Sequence, residues 1–276
     1  MTYQRFVALG DSCTEGLDDP YPAGPRAGRV YRGWADLVAG RLAAGNPGLR
    51  YANLGIRGRR LDQIAAEQIP AAARLRPDLV ALFGGGNDLM SRCWTERAVA
   101  QRVDHAVRSL TSLSPTVVVF TFSDISRRMP FGWRMRPRIE ALNAAIREAA
   151  VSYGAVLVDL WSDPATNDSR YFGPDRLHLS ERGHQRLAAH LLSSLDIPHE
   201  PSWLELLPGA PDRPSPAEHA RWVYQQVWPV VRGRIRNRLV GREPGDGILP
   251  KRPDLLPIAE TAGESVGGWQ PAPGNA

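Results

Sequence analysis

A serine, an aspartate and a histidine stand in this chain at points where the backbone must turn, and together these residue types can move an acyl group. The segment "FVALGDSCTEG" (residues 6–16) runs an apolar stretch into Gly10, Asp11 and Ser12 and closes on Gly16. Far downstream, Asp175 precedes His178 by three residues. Serine hydrolysis needs a base within reach of the hydroxyl, a carboxylate that fixes the imidazole tautomer, and N–H donors aimed at the developing oxyanion. Ser12 is the candidate nucleophile, His178 the base and Asp175 its orienting partner at Nδ1. The backbone N–H groups of Ser12 and Gly55 and the side-chain amide of Asn87 are the candidate oxyanion donors. His184 and His190 lie within the helix expected after Ser180, where packing and surface roles are commoner.

Such residues need a scaffold that gathers distant stretches of chain. Apolar, β-branched runs recur at "FVAL" (6–9), "YANL" (51–54), "LVALF" (79–83), "TVVVFTF" (116–122) and "AVLVDLW" (155–161). Most read as buried on both faces, as a covered parallel sheet requires. Between them, helical spacing appears at Trp34, Val38 and Leu42, at Leu61 and Ile64, at Val99, Val103, Val107 and Leu110, and at Ile139, Leu142 and Ile146. The alternation predicts an α/β fold whose parallel strands are joined by right-handed crossovers. Ligands of open parallel sheets bind at the carboxyl ends of the strands. Ser12, the turn from Asn53 to Gly55, the run from Gly84 to Asp88, and the segment holding Asp175 and His178 all fall at such exits. Asp11 and Asp88 are expected to hold loop amides in place, and Cys13 to be a small buried filler.

Gly10-Asp11-Ser12-x-Thr14-x-Gly16, Asn53-x-Gly55, Gly85-Gly86-Asn87-Asp88 and Asp175-x-x-His178 resemble, in order, the four marker blocks of the SGNH hydrolases, also called GDSL esterases and lipases. The resemblance spans about residues 5–197. It implies a flavodoxin-like three-layer sandwich with a five-stranded parallel sheet, and hydrolysis of a small-molecule ester with no cofactor and no metal. The same resemblance assigns the roles above to Ser12, Gly55, Asn87, Asp175 and His178. Cys13 replaces a common leucine and Leu179 a common proline; neither removes a reacting group, so both bear on pocket shape. An acyltransferase uses the same triad with a different acyl acceptor. A binding protein on an inert hydrolase fold, working through a basic C-terminal helix, is the alternative from another class, and the intact set Ser12, Asp175, His178 and Asn87 argues against it.

The chain of 276 residues is expected to divide into a hydrolase domain (1–198), a linker with a basic amphipathic helical extension (199–242) and a disordered Gly/Pro-rich tail (243–276). The net charge of +5 is unevenly spread: residues 221–242 hold six arginines and no acid, so the remainder sums to −1. Ser215, Pro216 and Glu218 form a capping box that opens the extension. Val223, Val227, Val231, Ile235 and Leu239 then make a stripe interrupted by Pro229, which is expected to kink the helix. A stripe set among arginines suits docking onto the main domain, or weak contact of residues 221–242 with an anionic membrane surface or nucleic acid. The loop from Ser123 to Arg138 carries Arg127, Arg128, Arg134, Arg136 and Arg138 beside Phe131 and Trp133, which suits either a pocket wall favouring anionic or aromatic substrates or a solvated loop. No stretch is apolar enough to cross a membrane, and Cys13 and Cys93 are too few for a disulfide framework. A cytoplasmic location with free thiols is expected.

Overall fold

Successive residues of a strand face opposite sides of a sheet, so an apolar run without alternation must be covered on both sides. The computed structural model describes residues 2–21, 30–126, 128–129, 132–210 and 215–258. Its strands are β1 (Arg5–Gly10), β2 (Arg50–Asn53), β3 (Leu79–Phe83), β4 (Thr116–Phe120), β5 (Val156–Val158) and β6 (Arg252–Pro257). They form one sheet in the order β5-β4-β3-β1-β2-β6, with β1 to β5 parallel.

Each face of this sheet has its own helical layer. Val7, Leu9, Val80, Leu82, Val117 and Val119 pack against residues of α3 (Leu61–Gln63), α4 (Ile69–Leu75), α6 (Glu96–Thr111) and α7 (Arg136–Tyr153). Phe6, Ala8, Ala81, Phe83, Val118 and Phe120 pack against α2 (Gly33–Gly45) and α8 (Glu181–Ser194), through Trp34, Val38, Leu187 and Leu191. The α/β three-layer sandwich is thus the one the strand runs predict. Ser180 caps α8 by accepting from the Gly183 N–H.

The sixth strand corrects the expectation of five strands and of a wholly disordered tail. β6 runs antiparallel to β2 and covers its outer edge. Its two prolines suit an edge, where ladder donors are dispensable. Arg252 Nε donates to the Tyr51 carbonyl at 2.6 Å. Lys251, the sole lysine of the chain, is buried against Asp36 at 2.8 Å and donates to the Tyr31 and Arg32 carbonyls. Residues 259–276 of the expected tail lie outside the described residues.

The linker packs back on the domain through "WLELL": Arg186 donates to the Leu204 carbonyl and Tyr171 to that of Glu205. The extension begins at the Ser215 capping box as α9 (Pro216–Trp222), passes through a π-helical turn (Val223–Val227) and continues as α10 (Trp228–Leu239). The wider turn lies just before Pro229, where a regular helix would clash with the proline ring. The expected docking of the whole stripe does not occur: Val223, Val231, Ile235 and Leu239 are exposed and Val227 is half-buried, while among the described residues of the extension Trp222 is the buried one.

Behind the sheet's carboxyl edge, the fully buried Asn143 of α7 fixes the loop leaving β4, accepting from the Phe122 N–H at 2.7 Å and donating to its carbonyl at 2.8 Å. Asn143→Leu keeps the bulk and strands both backbone groups, which should cost about 2–5 kcal/mol; the urea midpoint is expected to fall accordingly.

Candidate active site

The order β3-β1-β2 means that the chain leaves β1 to one side for β2 and returns to the other for β3, so the end of β1 is the topological switch point. Gly10 makes the exit. Its φ is +150°, and a Cβ there would lie 2.0 Å from the Phe83 carbonyl oxygen. Gln68 brackets its backbone, accepting from the Gly10 N–H at 2.9 Å and donating to its carbonyl at 2.8 Å. Asp11 then caps the short helix α1 (Ser12–Glu15) by accepting from the Cys13 N–H at 3.2 Å, which puts Ser12 at the first helical position.

From the opposite direction comes the loop between β5 and α8. Phe172 and Leu179 pair as an isolated bridge, and the Gly173 N–H donates to the His178 carbonyl at 2.8 Å. Asp175 Oδ1 accepts from the backbone N–H groups of Leu177 and His178 at 2.8 and 2.9 Å. Its Oδ2 lies 2.5 Å from His178 Nδ1, and His178 Nε2 lies 2.9 Å from Ser12 Oγ. With the Nδ1 N–H donating to the Asp175 carboxylate, Nε2 is left to accept from the serine hydroxyl. The three residues expected to form a relay are therefore in hydrogen-bond contact.

Charge supports the same arrangement. Burial works against the charged form of Asp175, but the His178 bond and charge and the two backbone donors outweigh it and hold the carboxyl below its usual range. Burial likewise opposes protonation of His178, yet Asp175, Asp18 and Asp11 raise it above the ordinary histidine value. Asp18, missed by sequence reasoning, adopts a left-handed φ of 67°. Ligand atoms of Asp18, Asp175 and His178 lie within 4.8 Å of one another, a grouping that can also hold a cation. Only the fold shows Asp18 as part of the site, since it stands outside every motif.

The candidate oxyanion donors separate in the structure. Ser12 and Asn87 line the cavity. Asn87 Nδ2 donates to Asp11 Oδ2 and to the Arg59 carbonyl, both at 3.1 Å. Gly55 is buried and its N–H donates to Asn53 Oδ1 at 3.0 Å, away from the residues that line the cavity. Gly58, three residues on, is on the wall at φ +82° against Pro244, as are Gly86 and Gly183. Asp11 and Asp88 act as expected of structural acids, Asp88 accepting from the Leu61 N–H and from Arg102, both at 2.9 Å. Burial, then the charge of Asp88, pushes Asp11 up to about 6 against the bonds that favour its charged form.

The competing groups have other occupations. His184 accepts from the Trp34 N–H and bonds the Leu17 carbonyl, and burial lowers it to about 4. His190 bonds Asp163, which also holds Arg186 through two contacts. Burial and then Asp11 raise the Cys13 thiol well above its ordinary value, so it is no ready nucleophile. In the arginine-rich loop, Arg128 is buried on the cavity wall, its guanidinium carbon 3.7 Å from the Phe172 ring centre, and its Nε donates to the Arg176 carbonyl in the loop of the histidine. Arg136 pairs with Asp124 and Glu140, and Arg138 donates to the Leu89 carbonyl. Arg127 and Phe131 lie outside the described residues.

Ser12 and His178 open on a cavity of about 360 Å³. Its wall is mostly apolar, with Phe83, Phe122, Ile139 and Leu160 from the strand ends and helices and Val230 from α10.

A parallel sheet whose switch point lies beneath hydrogen-bonded Ser12, His178 and Asp175 is an α/β architecture with a candidate hydrolytic site. The GDSL-like lipase/acylhydrolase family model matches residues 8–186, and the chain belongs to that family of ester-hydrolysing enzymes. Solved structures similar to it include an alpha/beta hydrolase enzyme from the metagenome of Lake Arreo, Spain, at 23% identity and TM-score 0.59, covering 71% of this chain and 97% of that one. An acetyl xylan esterase from Geobacillus stearothermophilus matches at 21% and 0.58, over 71% and 96%. A lipase/acylhydrolase from Enterococcus faecalis matches at 23% and 0.56, over 70% and 95%. Among curated proteins, none matches.

Gly10→Ala forces a methyl group onto the β3 backbone and is expected to destabilise the fold by at least about 2 kcal/mol. A thermal melt followed by circular dichroism checks it, with activity on a soluble ester falling in parallel.

Proposed function

We propose that the protein hydrolyses carboxylic esters with an apolar acyl group through an acyl-enzyme on Ser12. The contact of Ser12 Oγ with His178 Nε2, at the wall of the apolar cavity, carries this reading. Ser12 Oγ attacks the ester carbonyl as His178 takes its proton, and the imidazolium is stabilised by Asp175 and by the charges of Asp18 and Asp11. The proton then passes from Nε2 to the leaving alkoxide. Water, activated by the same nitrogen, releases the acid and restores Ser12. The oxyanion takes hydrogen bonds from the Ser12 backbone N–H and from Asn87 Nδ2, competing with the Arg59 carbonyl for the latter.

Ester hydrolysis through this relay needs no cofactor, because acyl transfer involves no change of oxidation state. Transfer of the acyl group to an alcohol follows the same first half, and water or alcohol in the second half decides between hydrolase and acyltransferase. The natural location proposed is the cytoplasm, in keeping with the unpaired thiols of Cys13 and Cys93.

Ser12→Ala is expected to lower kcat on a short-chain aryl ester by at least about 10³-fold, with an unchanged thermal melt. Turnover within tenfold of wild type rejects the assignment. The base must be neutral to accept a proton, so kcat/KM should fall as pH drops through a His178 value above the usual one. Asp18→Asn removes one of the charges that raise His178 and should move this acidic limb to lower pH; a full pH profile of the variant beside wild type checks it.

A further inference from the structure

The extension lies beyond residue 186, where the family match ends, so its surface is a property of this chain rather than of the family domain. At its base it is anchored to the loop of the histidine. Trp222 Nε1 donates to the Pro174 carbonyl at 2.8 Å, the Arg176 guanidinium sits 4.5 Å from the Trp222 ring centre, and Arg176 Nη1 lies 3.3 Å from His219 Nδ1. Further on, α10 meets the catalytic cavity through Val230.

The opposite face of α10 has no such partner among the described residues. Trp228, Val231, Ile235 and Leu239, spaced by three, four and four, fall on one side of a helix and are 52%, 39%, 55% and 81% exposed. Val230 projects from the other side of the same helix. Arg232 and Arg236 each follow a residue of the stripe, and no acid occurs between Arg221 and Arg242. The acids that come next are paired with arginines of the main domain: Glu243 with Arg60 and Asp246 with Arg59, both at 2.9 Å. The charge of Arg232 and Arg236 is thus left exposed beside an exposed apolar row.

We propose that α10 is a membrane-contact surface for an anionic phospholipid bilayer. Trp228, Val231, Ile235 and Leu239 enter the boundary between headgroups and acyl chains, and Arg221, Arg232, Arg236 and Arg242 bind the phosphates. Long arginine side chains can reach outward while their stems stay in apolar contact, so flanking charges do not prevent insertion of the row. A bilayer accounts for both halves of the pattern, whereas nucleic acid would use the arginines and leave four large apolar side chains in water. Resting on the esterase reading, a further consequence is that ester substrates reach the cavity from the bilayer on the side walled by Val230.

The test is co-sedimentation of the full-length protein with vesicles of phosphatidylcholine alone and of phosphatidylcholine mixed with phosphatidylglycerol. Binding is expected to the mixed vesicles, at least about tenfold tighter than to phosphatidylcholine alone, and to weaken with added salt. The double variant R232E/R236E should lose at least about tenfold of this affinity. The double variant Trp228→Ser with Ile235→Ser should lose affinity at low salt too, with unchanged turnover of a soluble aryl ester. Equal binding to both vesicle types, no binding to either, unaltered binding by these variants, or tighter binding to duplex DNA than to the mixed vesicles at the same salt overturns the proposal. Ser12→Ala should bind vesicles as wild type does. Vesicle binding without ester turnover by wild type would reject the esterase reading and leave the contact surface standing.

Discussion

The close approach of β1 to β3 is the constraint on which the site depends. At their carboxyl ends the strands come so near that Gly10 has no space for a side chain, while Thr14 Oγ1 bonds the carbonyls of both Leu9 and Phe83 across the seam. The hydroxyl of Ser12 and the amide of Asn87 are thereby placed on one wall by backbone geometry, and Asp11 ties the two exits together through its bond to Asn87. Widening the seam would separate the Ser12 hydroxyl from this amide before it disturbed the core. The histidine arrives from the other end of the chain on a loop that Arg128 braces through the Arg176 carbonyl.

Acidity around the imidazole is arranged by the same packing. Asp175 makes the direct bond, while Asp18 and Asp11 contribute charge from α1 and the turn that follows it. Asp18 and Asp11 stand more than 150 residues from His178 in the chain, so the basicity of this imidazole depends on tertiary structure. Asp18 is itself raised by burial and by the neighbouring charge of Asp175, the expected cost of crowding like charges.

Much of this was legible in the sequence, because apolar strands and the residues at their exits are local signals. Each of the five apolar runs became a parallel strand, and Ser12, Asp175 and His178 met as expected. The surroundings of Gly55 and Gly58 were beyond local reading: both follow β2, and their placements separate through contacts with Asn53 and with Pro244, the latter far away in sequence. β6 was missed for a related reason. "RPDLLP" has no strand signature of its own, and it is ordered by pairing to β2 and by the Arg252 bond to the Tyr51 carbonyl. The stripe of the extension could be read from spacing, but its exposure could not, since exposure depends on what other elements leave uncovered.

The strand that seals the sheet has a consequence for biosynthesis. Arg252 reaches a partner 201 residues earlier in the chain, so β2 emerges from the ribosome long before its cover exists. During that interval a newly made chain carries a bare sheet edge, the kind of surface that recruits neighbouring nascent chains. Pairing of β6 with β2 is therefore a long-range zippering step, and folding yield in a crowded cell should be sensitive to how soon β6 finds its place.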